Sequence, residues 1–228
     1  MNTKFGAIWS GLDWSVLLNI IESIIPALVC IIIHEICHGL MALALGDKTA
    51  KSQGRLSLNP LRHIDIFGLI MLAIAHIGWA KPVSIDMSNF KKPKRDMALT
   101  ALAGPVSNFL LAAVILFVFG LVYPSLEGGS AGDEALNLLY LTAYLSVSLG
   151  IFNLIPFPPL DGSKVLFSLL PDRVYMKLMY FERYGMIILI IIVFGLSRLG
   201  INPISAVSEA VFNVFFNIAA WSFKLVAG

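Results

Sequence analysis

The sequence predicts an all-α polytopic membrane protein: about five transmembrane helices, one re-entrant segment and a small β-sheet at the membrane edge. Three observations carry this. Of the 228 residues, 58% are hydrophobic and only 13% charged, about half the charge density of a soluble domain. Mean hydropathy is +0.85. Apolar runs recur along the chain, several near the length of about 20 residues that a helix needs to cross a bilayer. So few charges cannot cover a soluble globule, and a disordered chain would not be so apolar. The net charge of +2 gives no bulk attraction to nucleic acid. Cys30 and Cys37 share one apolar run and read as buried thiols, not a disulfide framework. A single membrane-embedded domain is expected over 1–228, with its core at about 14–170 and C-terminal helices at 185–226.

The first run, 14–45, is too long for a signal peptide and carries ionisable side chains that a cleaved segment would not need. The second, 64–80, is short and contains His76. The runs 97–122, 135–155, 185–199 and 204–226 complete the set, the last two joined by a turn at Gly200, Asn202 and Pro203. Charge orients them. Lys48, Lys51, Arg55 and Arg62 precede the 64–80 run; Lys81, Lys91, Lys92, Lys94 and Arg95 follow it; Lys164, Arg173, Lys177 and Arg183 follow Asp161. The 124–134 loop has no basic residue and holds Glu127, Asp133 and Glu134. Cytoplasmic loops collect Lys and Arg, so the three basic loops are expected inside and the acidic loop outside. Both ends of 64–80 then fall on the cytoplasmic side, and the run is expected to re-enter rather than span. Five spans remain, with the N-terminus outside and Lys224 inside. Trp14, Trp79 and Trp221 are expected as interfacial anchors. Two flanking stretches, 53–61 and 80–87, alternate polar and apolar residues and each contains Pro, the pattern of strands at a sheet edge.

His34, Glu35 and His38 form the sequence HEICH inside the first span. Residues four apart share a helix face, so the two imidazoles converge on one point. Imidazole is a preferred zinc ligand, and Glu35 can lean over the metal's open position as general base for a bound water. The composition gives roughly 0.002 such matches by chance. Three ionisable residues in five, within a span, are expensive unless they have a function. Cys37 lies between the histidines but points off their face. A hydrolytic zinc site takes three protein ligands plus water, so a third ligand must come from elsewhere. His63, His76, Asp65, Asp86, Glu22 and Asp161 are within reach. Asp161 is favoured, because it follows the Pro-rich irregular backbone after the 135–155 span, and such backbone at that depth lines a cavity. A helix N-cap is the competing structural reading of Asp161. An amide such as Asn108 inside a span most often bonds between helices.

The motif set resembles the site-2 proteases, intramembrane zinc metalloproteases. HEICHG, QGRLSLNPLRHID (53–65), GWAKPVSI (78–85), AGPVSN (103–108) and NLIPFPPLDG (153–162) occur in that family's order. The likeness covers roughly 26–170 and is to the compact branch without a PDZ domain. It implies Zn2+ held by His34, His38 and Asp161, with Glu35 as catalytic base. It implies that Asn108 hydrogen-bonds substrate or the developing oxyanion, and that Asn153 has a supporting role. Ser84 stands where the family has a Pro, a departure that touches none of these residues. The expected function is hydrolysis of peptide bonds within or near transmembrane segments, as in regulated intramembrane proteolysis. The expected partners are transmembrane protein substrates and membrane lipid, with no nucleic acid. The expected place is a bacterial plasma membrane, with the active site in the cytoplasmic leaflet. A substrate helix must unwind to be cut, and an edge strand of the small sheet could hold it extended.

Other classes fit less well. A transporter using His and Asp would spread ionisable groups along a path, whereas here they cluster at one depth. Gly128, Ser130 and Gly132 match G-x-S-x-G, but that motif needs a strand-to-helix elbow, and this copy lies in an acidic Gly-rich loop without histidine. No two aspartates sit in facing spans. An intact HExxH with a candidate third ligand argues against a non-catalytic scaffold.

Overall fold

Long runs of Ile, Leu, Val, Phe and Ala in a bilayer have one favourable form, the helix, because every backbone N–H and C=O is then bonded within the segment. The computed structural model describes residues 14–63, 65, 81–200 and 202–227. Five long helices follow the apolar runs: α1 (Trp14–Ala44), α3 (Pro93–Leu126), α4 (Ser130–Leu154), α6 (Asp172–Arg198) and α7 (Pro203–Ala227). Two short helices, α2 (Thr49–Ser52) and α5 (Asp161–Ser168), and two 3-10 turns at Pro60–Arg62 and Met87–Asn89 lie between them. Each long helix is long and apolar enough to cross a membrane. Among the described residues, five helices are thus of the length and composition expected for spans.

Helix ends run past the apolar limits wherever polar residues suit a helix. α3 begins at Pro93, whose fixed φ suits the first helical position. Asp96 then reaches back to accept the N–H of Lys92 at 2.9 Å. α4 starts at Ser130, with Asp133 at the positive end of its dipole. α6 starts at Asp172 rather than at 185. Its first turns are charged, which lowers hydropathy, but Lys, Arg and Glu are good helix formers.

The β-sheet is not found: no strand occurs among the described residues. The 53–61 stretch is a turn through Gly54 followed by the 3-10 turn at Pro60–Arg62. The 81–86 stretch is extended, but three of its N–H groups are bonded without a neighbouring strand. Lys81 N–H donates to the His63 carbonyl at 2.8 Å, and Val83 N–H to the Glu35 carboxylate at 2.8 Å. Asp86 N–H donates to the Asp47 carboxylate at 2.8 Å, and Pro82 has no N–H. The expected re-entrant run lies outside the described residues except for Asp65, and so do His76 and Trp79.

α3 is the central helix, in contact with α1, α4, α5 and α7. Apolar side chains gain little by leaving lipid, so close backbone approach between small residues carries the packing. Ala112, Ala143 and Ala219 are buried in one cluster with Leu116, Val147 and Phe212. Gly120 lets α3 lie directly on α7, where a Cβ would strike the Ala219 carbonyl and Ser222 Oγ. Ser146 of α4 donates to the Asn108 carbonyl of α3 at 2.8 Å. Leu110 and Val114, a turn apart on the outer face of α3, stay exposed, as lipid-facing residues should. α6 lies against α5 and is held at its start by a 2.9 Å ion pair between Asp172 and Lys94.

A candidate metal centre between α1, α3 and α5

One helical turn of α1 brings His34 and His38 together, both buried, with ring centroids 4.5 Å apart and nearly perpendicular planes. Their Nε2 atoms are 2.9 Å apart. Asp161, in the first turn of α5, places Oδ2 3.1 Å from each Nε2. These three donor atoms outline one face of a small tetrahedron. Zinc bonds of about 2.05 Å give tetrahedral edges of about 3.3 Å, so the triangle needs only a few tenths of an ångström of expansion. Two imidazoles and one carboxylate are also the donor types that zinc takes. The residues present therefore fit the ion. Among the described residues this is the group of His, Cys, Asp and Glu whose ligand atoms converge.

Asp161 does not cap its helix, since the N-cap is Leu160 and no side-chain cap bond forms. Burial alone would push its pKa up, and the nearby Lys164 ammonium favours its charged form. Lys164, one turn along α5, points Nζ at Asp161 Oδ1 from 3.8 Å and at Glu182 of α6 from 3.6 Å. Sequence reading passed over Lys164; its spacing of three from Asp161 is the signal that could have found it.

α3 supplies the wall behind the histidines. His38 Nδ1 lies 2.7 Å from the Thr100 carbonyl, and His34 Nδ1 lies 3.3 Å from the Asn108 amide. Gly104 lies midway between the two contacts. A Cβ there would strike His38 Nε2 and would sit 2.6 Å from His34 Cε1. Thr100, Gly104 and Asn108 are successive fourth residues and share one helix face.

A cleft of about 150 Å³ opens onto the ligand atoms. Val83, Ile85, Met97 and Ala101 line its apolar side, and Glu35, Asn153 and Lys164 its polar side. Glu35 does not point at the ligand triangle's centre as a fourth donor; its carboxylate is held by Val83 N–H. Asn153 lines the cleft, with its amide NH2 bonded to the Leu149 carbonyl of its own helix at 3.0 Å. Asn108 is fully buried and is not among the cleft residues, which differs from the expected contact with substrate or oxyanion. The other reachable residues have other surroundings. His63 Nε2 bonds the Ser57 carbonyl at 2.7 Å, and Asp86 caps the Met87–Asn89 turn. The Glu22 side chain lies outside the described residues. Ser130 is exposed at the start of α4.

Asp47, also missed in the sequence, anchors the extended segment that carries Val83. Fully buried, it accepts hydrogen bonds from Thr49 N–H, Thr49 Oγ, Asp86 N–H and Asn89 Nδ2. Burial would raise its pKa, but these four donors lower it overall. The sign of the pH effect follows: the stabilisation is fully present above the unfolded carboxyl value of about 4 and is lost as pH falls through the lowered folded value. Asp47→Ala is expected to cost about 1–3 kcal/mol, because it leaves four part-buried donors without their acceptor, and to flatten that acid limb. Thermal melts in detergent from pH 7 down to pH 3 check both.

The Peptidase family M50 model matches residues 122–196, a stretch that includes Asn153 and Asp161. A Bacillus subtilis protein named "Putative zinc metalloprotease YwhC" is 38% identical over 171 residues, 74% of this chain and 78% of the relative. A Mycolicibacterium smegmatis protein named "Putative zinc metalloprotease Rip2" is 26% identical over 201 residues, 86% of this chain and 70% of the relative. "Zinc metalloprotease MJ0392" of Methanocaldococcus jannaschii is 25% identical over 145 residues, 64% of this chain and 33% of the relative. No solved structure matches the chain.

Proposed function

The chain belongs to peptidase family M50, the site-2 proteases, and from that premise we propose that it cuts transmembrane segments of other membrane proteins in their cytoplasm-proximal part, using His34, His38 and Asp161 as zinc ligands and Glu35 as base. It is a membrane-embedded zinc metalloprotease; the residue roles, the side of cleavage and the substrate class are our reading. The observation that carries the reading is the meeting of three donor atoms from α1 and α5 within 3.1 Å of one another, beside a cleft that also holds Glu35.

Zinc, when bound, supplies Lewis acidity that makes water a nucleophile near neutral pH and polarises a peptide carbonyl. The chain's own residues do the rest. His34, His38 and Asp161 fix the reacting centre at one end of the cleft. Glu35 takes the proton of the attacking water and returns it to the leaving nitrogen. The N–H of Val83 holds the Glu35 carboxylate at the edge of the cleft, so the base is oriented before substrate arrives. Val83, Ile85, Met97 and Ala101 give the unwound segment an apolar surface that excludes bulk water. Asn153, on the polar side, is in reach of a backbone group of the bound segment.

Depth supports the side of cleavage. His34 lies 20 residues beyond Trp14, about 30 Å along a helix, and the hydrocarbon core is about 30 Å thick. Tilt and Pro26 inside α1 shorten the projection by several ångströms. The site then falls in the leaflet nearer the basic loops, which is the cytoplasmic one in a bacterial plasma membrane. Mass spectrometry of the products of a single-span substrate tests this. Cuts in the cytoplasmic third of the span, with release of the cytoplasmic fragment, are expected; cuts near the outer end contradict the orientation or the depth.

A further inference from the structure

Asn108 is buried in the bundle, and its Oδ1 has no hydrogen-bond partner while its Nδ2 lies 3.3 Å from His34 Nδ1. An orphaned amide oxygen in a dry interior is costly. The ligand atom of His34 is Nε2, the one that meets His38 and Asp161. A neutral imidazole that offers the Nε2 lone pair to a cation carries its proton on Nδ1. That proton needs an acceptor, and Nδ2 is not one. A half-turn of the Asn108 amide puts Oδ1 opposite Nδ1–H. The half-turn gives the ring proton its acceptor and moves the amide NH2 to the place where Oδ1 now stands.

His38 shows the same arrangement already complete. Its Nδ1 lies 2.7 Å from the Thr100 carbonyl, which can only accept. The proton of His38 is therefore on Nδ1, and Nε2 is free for the metal. Thr100 and Asn108 lie eight residues apart on one face of α3, with Gly104 between them leaving room for both rings. One helix thus faces the outer nitrogen of each histidine with a hydrogen-bonding group.

We propose that Asn108 is a positioning residue that accepts the Nδ1–H of His34 and so fixes the tautomer and ring orientation with which His34 binds zinc. It acts through His34 and does not touch substrate. The inference rests on the reading of His34 as a zinc ligand, which the zinc content of the wild-type protein tests separately.

The experiment is zinc affinity of the purified full chain in detergent, by competition with a chromogenic chelator, with kcat and KM measured at saturating zinc. Asn108→Leu removes the acceptor at similar volume and should weaken zinc binding by roughly 10–100-fold, the loss typical of an outer hydrogen-bond partner of a metal-bound histidine. Excess zinc should restore most of its kcat, with KM unchanged. Asn108→Asp offers only acceptor oxygens and should keep wild-type affinity or better, which guards against a merely misfolded Leu variant. Wild-type zinc affinity in Asn108→Leu together with a lowered kcat would overturn the proposal in favour of a direct role at the substrate. Equal loss of zinc in Asn108→Asp and Asn108→Leu would overturn it in favour of simple packing. A wild-type protein without zinc would instead refute the ligand assignment beneath it.

Discussion

Glu35→Gln is expected to lower proteolysis by roughly 10²–10⁴-fold, the usual contribution of a general base, while zinc stays bound. Glutamine keeps the size of the side chain and can still accept the Val83 N–H, but it cannot take a proton from water. Its side chain is not one of the three converging donors, so the metal site should be untouched. His34→Ala, His38→Ala and Asp161→Ala should behave differently and lose both zinc and activity, because each removes one of three ligands and leaves the others in a buried pocket. Metal analysis of the four variants beside cleavage of a panel of single-span proteins separates the two outcomes. Full zinc occupancy in Asp161→Ala would remove that residue from the ligand set. Zinc loss in Glu35→Gln would make Glu35 a ligand rather than a base.

Gly104→Ala is expected to abolish tight zinc binding although it replaces neither a ligand nor a residue lining the cleft. Two effects compete. Ala in place of Gly within a helix gains about 1 kcal/mol of helix propensity. Against this, the new methyl would overlap His38 Nε2 and lie 2.6 Å from His34 Cε1, well inside contact distance. Neither imidazole can retreat, since α1 and α3 are packed and both outer nitrogens face α3. The rings must turn or the helices must part, and either destroys the donor triangle. The expected loss of zinc affinity exceeds the roughly 10–100-fold of a removed outer hydrogen-bond partner. Circular dichroism should show the helices intact and chelator competition should show the site lost. Unchanged zinc affinity would mean that the bundle yields at this face more easily than the packing implies.

The parts of this protein that are local in sequence were legible in it. Spans follow from composition, and the convergence of His34 with His38 follows from four-residue spacing on a helix. The third ligand is not local. Asp161 is 123 residues from His38, and only the Pro-rich run before it and the family resemblance singled it out. The period-two pattern of 80–87 has a physical basis. Val83 is buried while Ser84 and Asp86 are exposed, so the backbone is extended and alternates. Its partners, however, are the carboxylates of Glu35 and Asp47, and sequence alternation cannot tell a side-chain partner from a strand. Asn108 was visible as a polar residue inside a span, but which side of His34 it meets depends on how α3 packs against α1. Nothing local marks Lys164 or Asp47, because charged residues in loops and short helices are usually solvated; the burial of Asp47 and the half-burial of Lys164 beside Asp161 are tertiary facts.

X-ray absorption at the zinc edge of the purified wild-type chain tests the central claim most directly. The account predicts one zinc per chain, two imidazole nitrogens and oxygen ligands at about 2.0–2.2 Å, and no sulfur. Absence of stoichiometric zinc, or a sulfur scatterer at about 2.3 Å that would bring Cys37 into the site, contradicts it.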